Sequence, residues 1–137
     1  MPSVLFLCTH NSARSQIAEA VLRHLDSTGT FESYSAGSEV TFVRPLAIEV
    51  MKEWNVDMSS HTSKTLDQFL NQKIDIVITV CDSANDTCPH FPSASKRLHW
   101  SFPDPSKAVG TPDEQLQVYR TVRDGLAERI KTELLAK

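Results

Sequence analysis

Cys8 stands where the apolar run Val4 to Leu7 stops, six residues before Arg14, in the stretch "VLFLCTHNSARSQIAE" (Val4 to Glu19). After a strand, the segment Cys8, Thr9, His10, Asn11, Ser12, Ala13, Arg14, Ser15 must turn back toward a helix that begins near Ser15. Its backbone N–H groups then converge at a helix N-terminus, which is an anion site. Arg14 adds a planar fork that binds two oxygens of a tetrahedral oxyanion, and Ser15 can donate its hydroxyl to the Cys8 sulfur. The same positive field favours the thiolate form of Cys8. A thiolate facing a bound oxyanion is a nucleophile aimed at phosphorus or arsenic. The plainer reading of Cys8 is a buried thiol on a strand; a strand before, a helix after and a serine beside the arginine weigh against it.

The rest of the chain must supply the elements that hold this loop. Val4 to Leu7 and Ile74 to Val80, "IDIVITV", read as buried parallel strands, with Phe31 to Gly37 and Lys96 to Trp100 as weaker strand candidates. Ile17, Ala18, Val21, Leu22 and Leu25 share one helical face, as do Leu46, Val50 and Trp54 after the helix-starting Pro45. Thr65 to Leu70 reads as a short helix. The last helix opens on "TPDE", where Thr111 caps, Pro112 fits the first position and Glu114 completes a capping box; Tyr119, Val122, Leu126, Ile130 and Leu134 form its stripe. Strands alternating with helices predict an α/β fold, with a central four-stranded parallel sheet and helices on both faces. Ser101 to Pro112 reads as a long loop, which in a compact domain is often functional. Ligands of such sheets sit at the carboxyl ends of the strands, where both Cys8 and Cys81 fall.

A chain of 137 residues with 40% hydrophobic content fits a single domain spanning 1–137. A net charge of −3 gives no global positive field, so nucleic acid is not expected as a partner. No run is long enough for a membrane span, and the short apolar run near the N-terminus lacks a signal peptide's basic segment. A cytoplasmic location is therefore expected. There the three cysteines, Cys8, Cys81 and Cys88, are not structural disulfides.

The loop pattern resembles that of the low-molecular-weight protein tyrosine phosphatases and of the arsenate reductases that share their fold. "YSAG" (Tyr34 to Gly37), "HTSK" (His61 to Lys64), "CDSANDTCP" (Cys81 to Pro89) and "KRLHWSFPDP" through "YRTVRDGLAERI" resemble successive blocks of the thioredoxin-coupled reductases over nearly the whole chain. The resemblance implies that Thr9, His10, Asn11, Ser12, Ala13 and Arg14 cradle the anion, and that Asp104, in its Asp-Pro pair, is the general acid protonating the expelled oxygen. It further implies arsenate as substrate, with phosphate and sulfate as competing anions. Cys8 would attack arsenic, Cys81 would attack Cys8, and Cys88 would attack Cys81, leaving a disulfide for thioredoxin to reduce. No bound cofactor or metal is expected, and the protein is expected to be a monomer. The alternative in the same fold is a phosphatase hydrolysing phosphomonoesters through a phosphocysteine; a weak side activity of that kind is expected in either case. The phosphatases commonly carry aromatics on the acid loop, where this chain has Trp100 and Phe102 but no tyrosine.

Three positions depart from the family pattern. His10 stands where glycine is usual, at a point where an unusual backbone angle is expected. Ala13 replaces a frequent second cysteine. Lys64 stands where the reductases typically have an aspartate that, with residues matching Asn11 and Glu19, helps hold a potassium ion. An ammonium there would pair with Glu19 and replace the ion. His24, His61, His90 and His99 show no metal-ligand spacing and read as surface or packing residues.

Overall fold

The computed structural model describes residues 2–39, 41–81, 91 and 94–135. Four parallel strands, β1 (Ser3–Cys8), β2 (Glu32–Gly37), β3 (Ile76–Thr79) and β4 (Lys96–His99), form one sheet in the order β2-β1-β3-β4. β1 is paired on both edges, with Leu5 opposite Tyr34 on one side and Val77 on the other. Every residue of β1 is buried, which is why its sequence is a continuous apolar run rather than an alternating one.

Successive side chains of β1 point to opposite faces. Val4, Phe6 and Cys8 join a large core with α1 (Arg14–Leu25), α2 (Pro45–Lys52) and α3 (Pro112–Ile130), through residues such as Ile17, Val21, Met51, Val122 and Leu126. Leu5 and Leu7 join a smaller cluster on the other face with Phe69, Ile74, Val77 and Phe91. Each such buried apolar side chain contributes roughly 1.5–3 kcal/mol relative to exposure, so β1 is the axis of the fold. Among the described residues no helix is long and apolar enough to cross a membrane.

Several elements are shorter or tighter than the sequence predicts. The run Ile74 to Val80 is a ladder only over Ile76–Thr79, because Asp75 turns its carboxylate to the Ser3 N–H, 2.8 Å away, and clamps the start of the sheet. Val80 still donates its N–H to the Leu7 carbonyl at 2.8 Å. α2 stops at Lys52, and the chain reverses through Asn55 at φ 61°, leaving Trp54 outside the helix but under the Arg123 guanidinium, 4.5 Å away. The helix expected over Thr65 to Leu70 is a single 3₁₀ turn, Leu66–Phe69. The long loop before Pro112 contains a second 3₁₀ turn, Pro105–Lys107, started by Asp104, whose carboxylate accepts the Ser106 N–H at 2.9 Å.

β2 and β3 lie on opposite sides of β1, so the crevice of the sheet opens between the carboxyl ends of β1 and β3. Cys8 ends β1, and Cys81 follows β3 by two residues.

Candidate functional site

The loop from Cys8 to Arg14 is shaped by what its carbonyls bond to. The Thr9 carbonyl accepts from the Glu39 N–H (3.0 Å) and the Ser38 hydroxyl (3.1 Å). That of His10 accepts the hydroxyls of Thr41 and Ser63, each at 3.1 Å. Asn11 accepts from Gln16 Nε2 at 3.2 Å, and Ser12 from the Arg44 N–H at 2.8 Å. The two ends of a planar peptide point in opposite directions, so carbonyls fixed outward leave the following N–H groups for the hollow of the loop. The left-handed residue is Asn11, at φ 49°, and not the expected His10; asparagine tolerates this conformation because its short polar side chain bonds locally. His10 instead reaches toward Glu39, 3.8 Å away at the rim.

Gly37, the last residue of β2, lets the sheet lie directly against this loop. A Cβ there would stand 2.8 Å from the Cys8 and Thr9 carbonyl oxygens and the Asn11 nitrogen, too close for any side chain.

Behind the loop runs a chain of side-chain hydrogen bonds whose direction is determined by backbone groups. Gln16 Nε2 faces the Thr62 carbonyl at 2.8 Å, so it is the donor end, and Gln16 Oε1 must accept from His61 Nδ1 at 2.9 Å. The Lys64 N–H donates to Asn11 Oδ1 at 2.7 Å, so Asn11 Nδ2 is the end that donates to Ser15 Oγ at 2.8 Å. Having accepted that bond, Ser15 turns its own proton to Cys8 Sγ, 2.8 Å away. The series His61, Gln16, Asn11, Ser15, Cys8 thus points every donor toward the sulfur. His61, expected as a surface or packing residue, is half-buried, and that burial holds its ring below its ordinary pKa, against the opposing pull of Glu19.

Glu19 lies behind the same loop, 4% exposed. Its carboxylate meets Arg23 at 2.8 Å, the Ser35 hydroxyl, and Lys64 Nζ at 3.9 Å; Lys64 also donates to the Thr62 carbonyl at 2.8 Å. Burial draws the Lys64 ammonium down from its ordinary pKa, and Glu19 draws it up. The residues here do not fit a bound potassium ion. Two cationic side chains already face the Glu19 carboxylate, and an ammonium stands where a third oxygen donor would be needed. Among the described residues no group of three or more His, Cys, Asp or Glu side chains is gathered as a metal site.

Arg14 opens α1 and is 2% exposed. Its Nη1 donates to the Phe102 carbonyl at 3.2 Å, and its Nη2 lies 3.8 Å from Asp104 Oδ2. The acid loop is thereby brought over the anion loop from 88 residues away. Cys81 is fully buried, with its Sγ 3.9 Å from the Leu7 carbonyl, beside the strand that Cys8 ends. Cys88 lies outside the described residues. Neither acid-loop aromatic stands free to flank a substrate ring: Trp100 is 1% exposed and packs 6.2 Å from the Phe6 ring, and Phe102 packs on α3 at Gly125. Sequence reasoning missed Gln16 and His61. No local signal marks them, because their partners in the fold lie up to 46 residues away.

The family model described as low molecular weight phosphotyrosine protein phosphatase matches residues 3–137. An arsenate reductase from Halalkalibacterium halodurans is 48% identical over 130 residues, spanning 94% of this chain and 92% of that protein. A solved structure described as an arsenate reductase in the phosphate binding state superposes with a TM-score of 0.76 at 32% identity, covering 96% of this chain and 95% of the other. A thioredoxin-dependent arsenate reductase of Corynebacterium glutamicum superposes with a TM-score of 0.70 at 30% identity, over 100% of this chain and 64% of that one.

Proposed function

The chain belongs to the low molecular weight phosphotyrosine protein phosphatase family, and on that premise we propose that it reduces arsenate to arsenite. Arsenate enters the hollow of the anion loop and is gripped by the loop N–H groups and by Arg14. The Cys8 thiolate attacks arsenic; an As–S bond forms, an As–O bond breaks, and Asp104 protonates the departing oxygen so that it leaves as water. Cys81 then attacks the Cys8 sulfur. A disulfide forms, the As–S electron pair passes to arsenic, As(V) becomes As(III), and arsenite is released. Cys88 attacks Cys81, frees Cys8, and leaves a Cys81–Cys88 disulfide for thioredoxin. The thioredoxin-dependent relative from Corynebacterium supports thioredoxin as the reductant class, and the phosphate-bound relative supports a tetrahedral oxyanion as ligand.

The single observation that carries the reductase reading is the position of Cys81. It is buried just beyond the end of β3, the strand adjacent to the one that ends in Cys8. Hydrolysis of a phosphomonoester would use Cys8, Arg14 and Asp104 and leave this second thiol without a task. Lys64 takes the part of the potassium ion held by some relatives, through its contact with Glu19.

The test is steady-state NADPH oxidation with thioredoxin, thioredoxin reductase and arsenate, run once in sodium and once in potassium buffer. Wild type turns over at the same rate in both; Cys81→Ser and Cys88→Ser stop multiple turnover. Hydrolysis of an aryl phosphate without arsenate-dependent turnover would replace this reading with a phosphatase.

A further inference from the structure

Gly125 sits in the middle of α3, where glycine weakens a helix relative to alanine. Nothing in its own backbone asks for it. The glycines with positive φ are Gly29 and Gly110, and position 125 is in neither a turn nor a close backbone crossing. What meets it is a side chain from the acid loop. A Cβ at 125 would stand 2.7 Å from Cε1 and 3.5 Å from Cζ of the Phe102 ring. Phe102 is half-buried against the main core, so the ring has a built seat on α3 that exists only because the helix lacks a side chain there.

The same residue holds the chemistry on its other side. The Phe102 carbonyl accepts from Arg14 Nη1 at 3.2 Å, and two residues further on, Asp104 Oδ2 lies 3.8 Å from Arg14 Nη2. Phe102 is therefore the point at which the acid loop is fastened both to α3 and to the anion-binding guanidinium. We propose that Gly125 is a positioning residue: the gap it leaves in α3 seats Phe102, and through Phe102 sets where Arg14 and Asp104 stand over Cys8. The proposal rests on the roles given above to Arg14 and Asp104. It predicts a helix position where gaining local stability and losing activity go together, since a methyl group on α3 lifts the ring and the loop with it.

The experiment compares wild type, Gly125→Ala, Phe102→Leu and the double variant by thermal melting, arsenate kcat/KM and affinity for inorganic phosphate. Leucine lacks the ring atoms that alanine at 125 would strike. Gly125→Ala is expected to melt no lower than wild type and to lose roughly ten- to a hundredfold in kcat/KM. The double variant is expected to recover most of that loss. Gly125→Ala activity within about twofold of wild type, a lower melting temperature for that variant, or a double variant no better than Gly125→Ala would each overturn the assignment. If wild type reduces no arsenate, the functional reading fails by itself. The phosphate affinities of the same four proteins still decide the positioning role, which requires weaker binding in Gly125→Ala and its restoration in the double variant.

Discussion

α1 and α3 begin in opposite ways. α3 is closed: Thr111 accepts the Glu114 N–H at 3.2 Å, Glu114 returns a bond to the Thr111 N–H at 3.1 Å, Pro112 fills the first turn, and Asp113 adds negative charge there. α1 has none of this. Its capping position is Ala13, no side chain caps it, and its first turn carries no acid. The first N–H groups of a helix need partners, and the positive end of its dipole favours an anion. α3 satisfies that need from its own sequence and is a stable strut; α1 has no side-chain cap, and Arg14 stands at its start. The order that a cap would have supplied comes from Gln16, Asn11 and His61 behind the loop.

Closing α1 should have the largest effect. Ala13→Asp puts a carboxylate where the helix would accept a cap and where the oxyanion must sit. We expect affinity for inorganic phosphate and arsenate turnover to fall roughly 10²-fold or more, and the melting temperature to fall with them, because position 13 is 2% exposed in the main core. Phosphate titration together with a thermal melt reads both; wild-type phosphate affinity in that variant would refute the contrast.

Opening α3 is the converse and should be smaller. Thr111→Ala removes one half of the capping box and should cost about 1 kcal/mol, a melting-temperature drop of about 3–5 °C. Arsenate kcat/KM should stay within about twofold of wild type. A loss of activity as large as the Ala13→Asp loss would mean that α3's start also serves the reaction.

The smallest effect sharpens how α1 stays ordered without a cap. Burial holds His61 below its ordinary value of 6.5, with Glu19 and Asp57 pulling up and Arg23 and Lys64 pulling down. The folded state thus prefers the neutral ring, whose Nδ1–H is the donor to Gln16, and the unfolded chain takes a proton more readily. The stability this contributes is full above pH 6.5 and is lost as pH falls below it. Wild type should therefore lose melting temperature between pH 7.5 and 5.5 more steeply than His61→Asn, measured in one buffer series. Parallel slopes would show that His61 does not carry this term.

The anion loop was legible because its evidence is local. An apolar run, a cysteine, a short polar turn, an arginine and a helical stripe follow one another within Val4 to Leu25, and strand, turn and helix are near-neighbour properties of a chain. The capping box at Thr111 was legible for the same reason. His10 was misjudged because the position of the strained peptide depends on which carbonyls find outside partners, and these come from Thr41, Ser63 and Gln16. The packing of Trp100 on Phe6 and of Phe102 on α3 depends on strand order and on the path of α3, and neither is readable from the residues beside them.

By itself the sequence determined the α/β alternation, the buried central strand, the cysteine-and-arginine loop and the starts of α2 and α3, since those follow from periodicity, turn chemistry and capping over a few residues. Only the tertiary structure decided what faces that loop. The contact of Phe102 and Asp104 with Arg14, the descent of hydrogen bonds from His61 to Cys8, the ammonium beside Glu19 and the gap at Gly125 all join residues far apart in the chain. Their meeting depends on the order and register in which the strands pair, which no short stretch encodes alone.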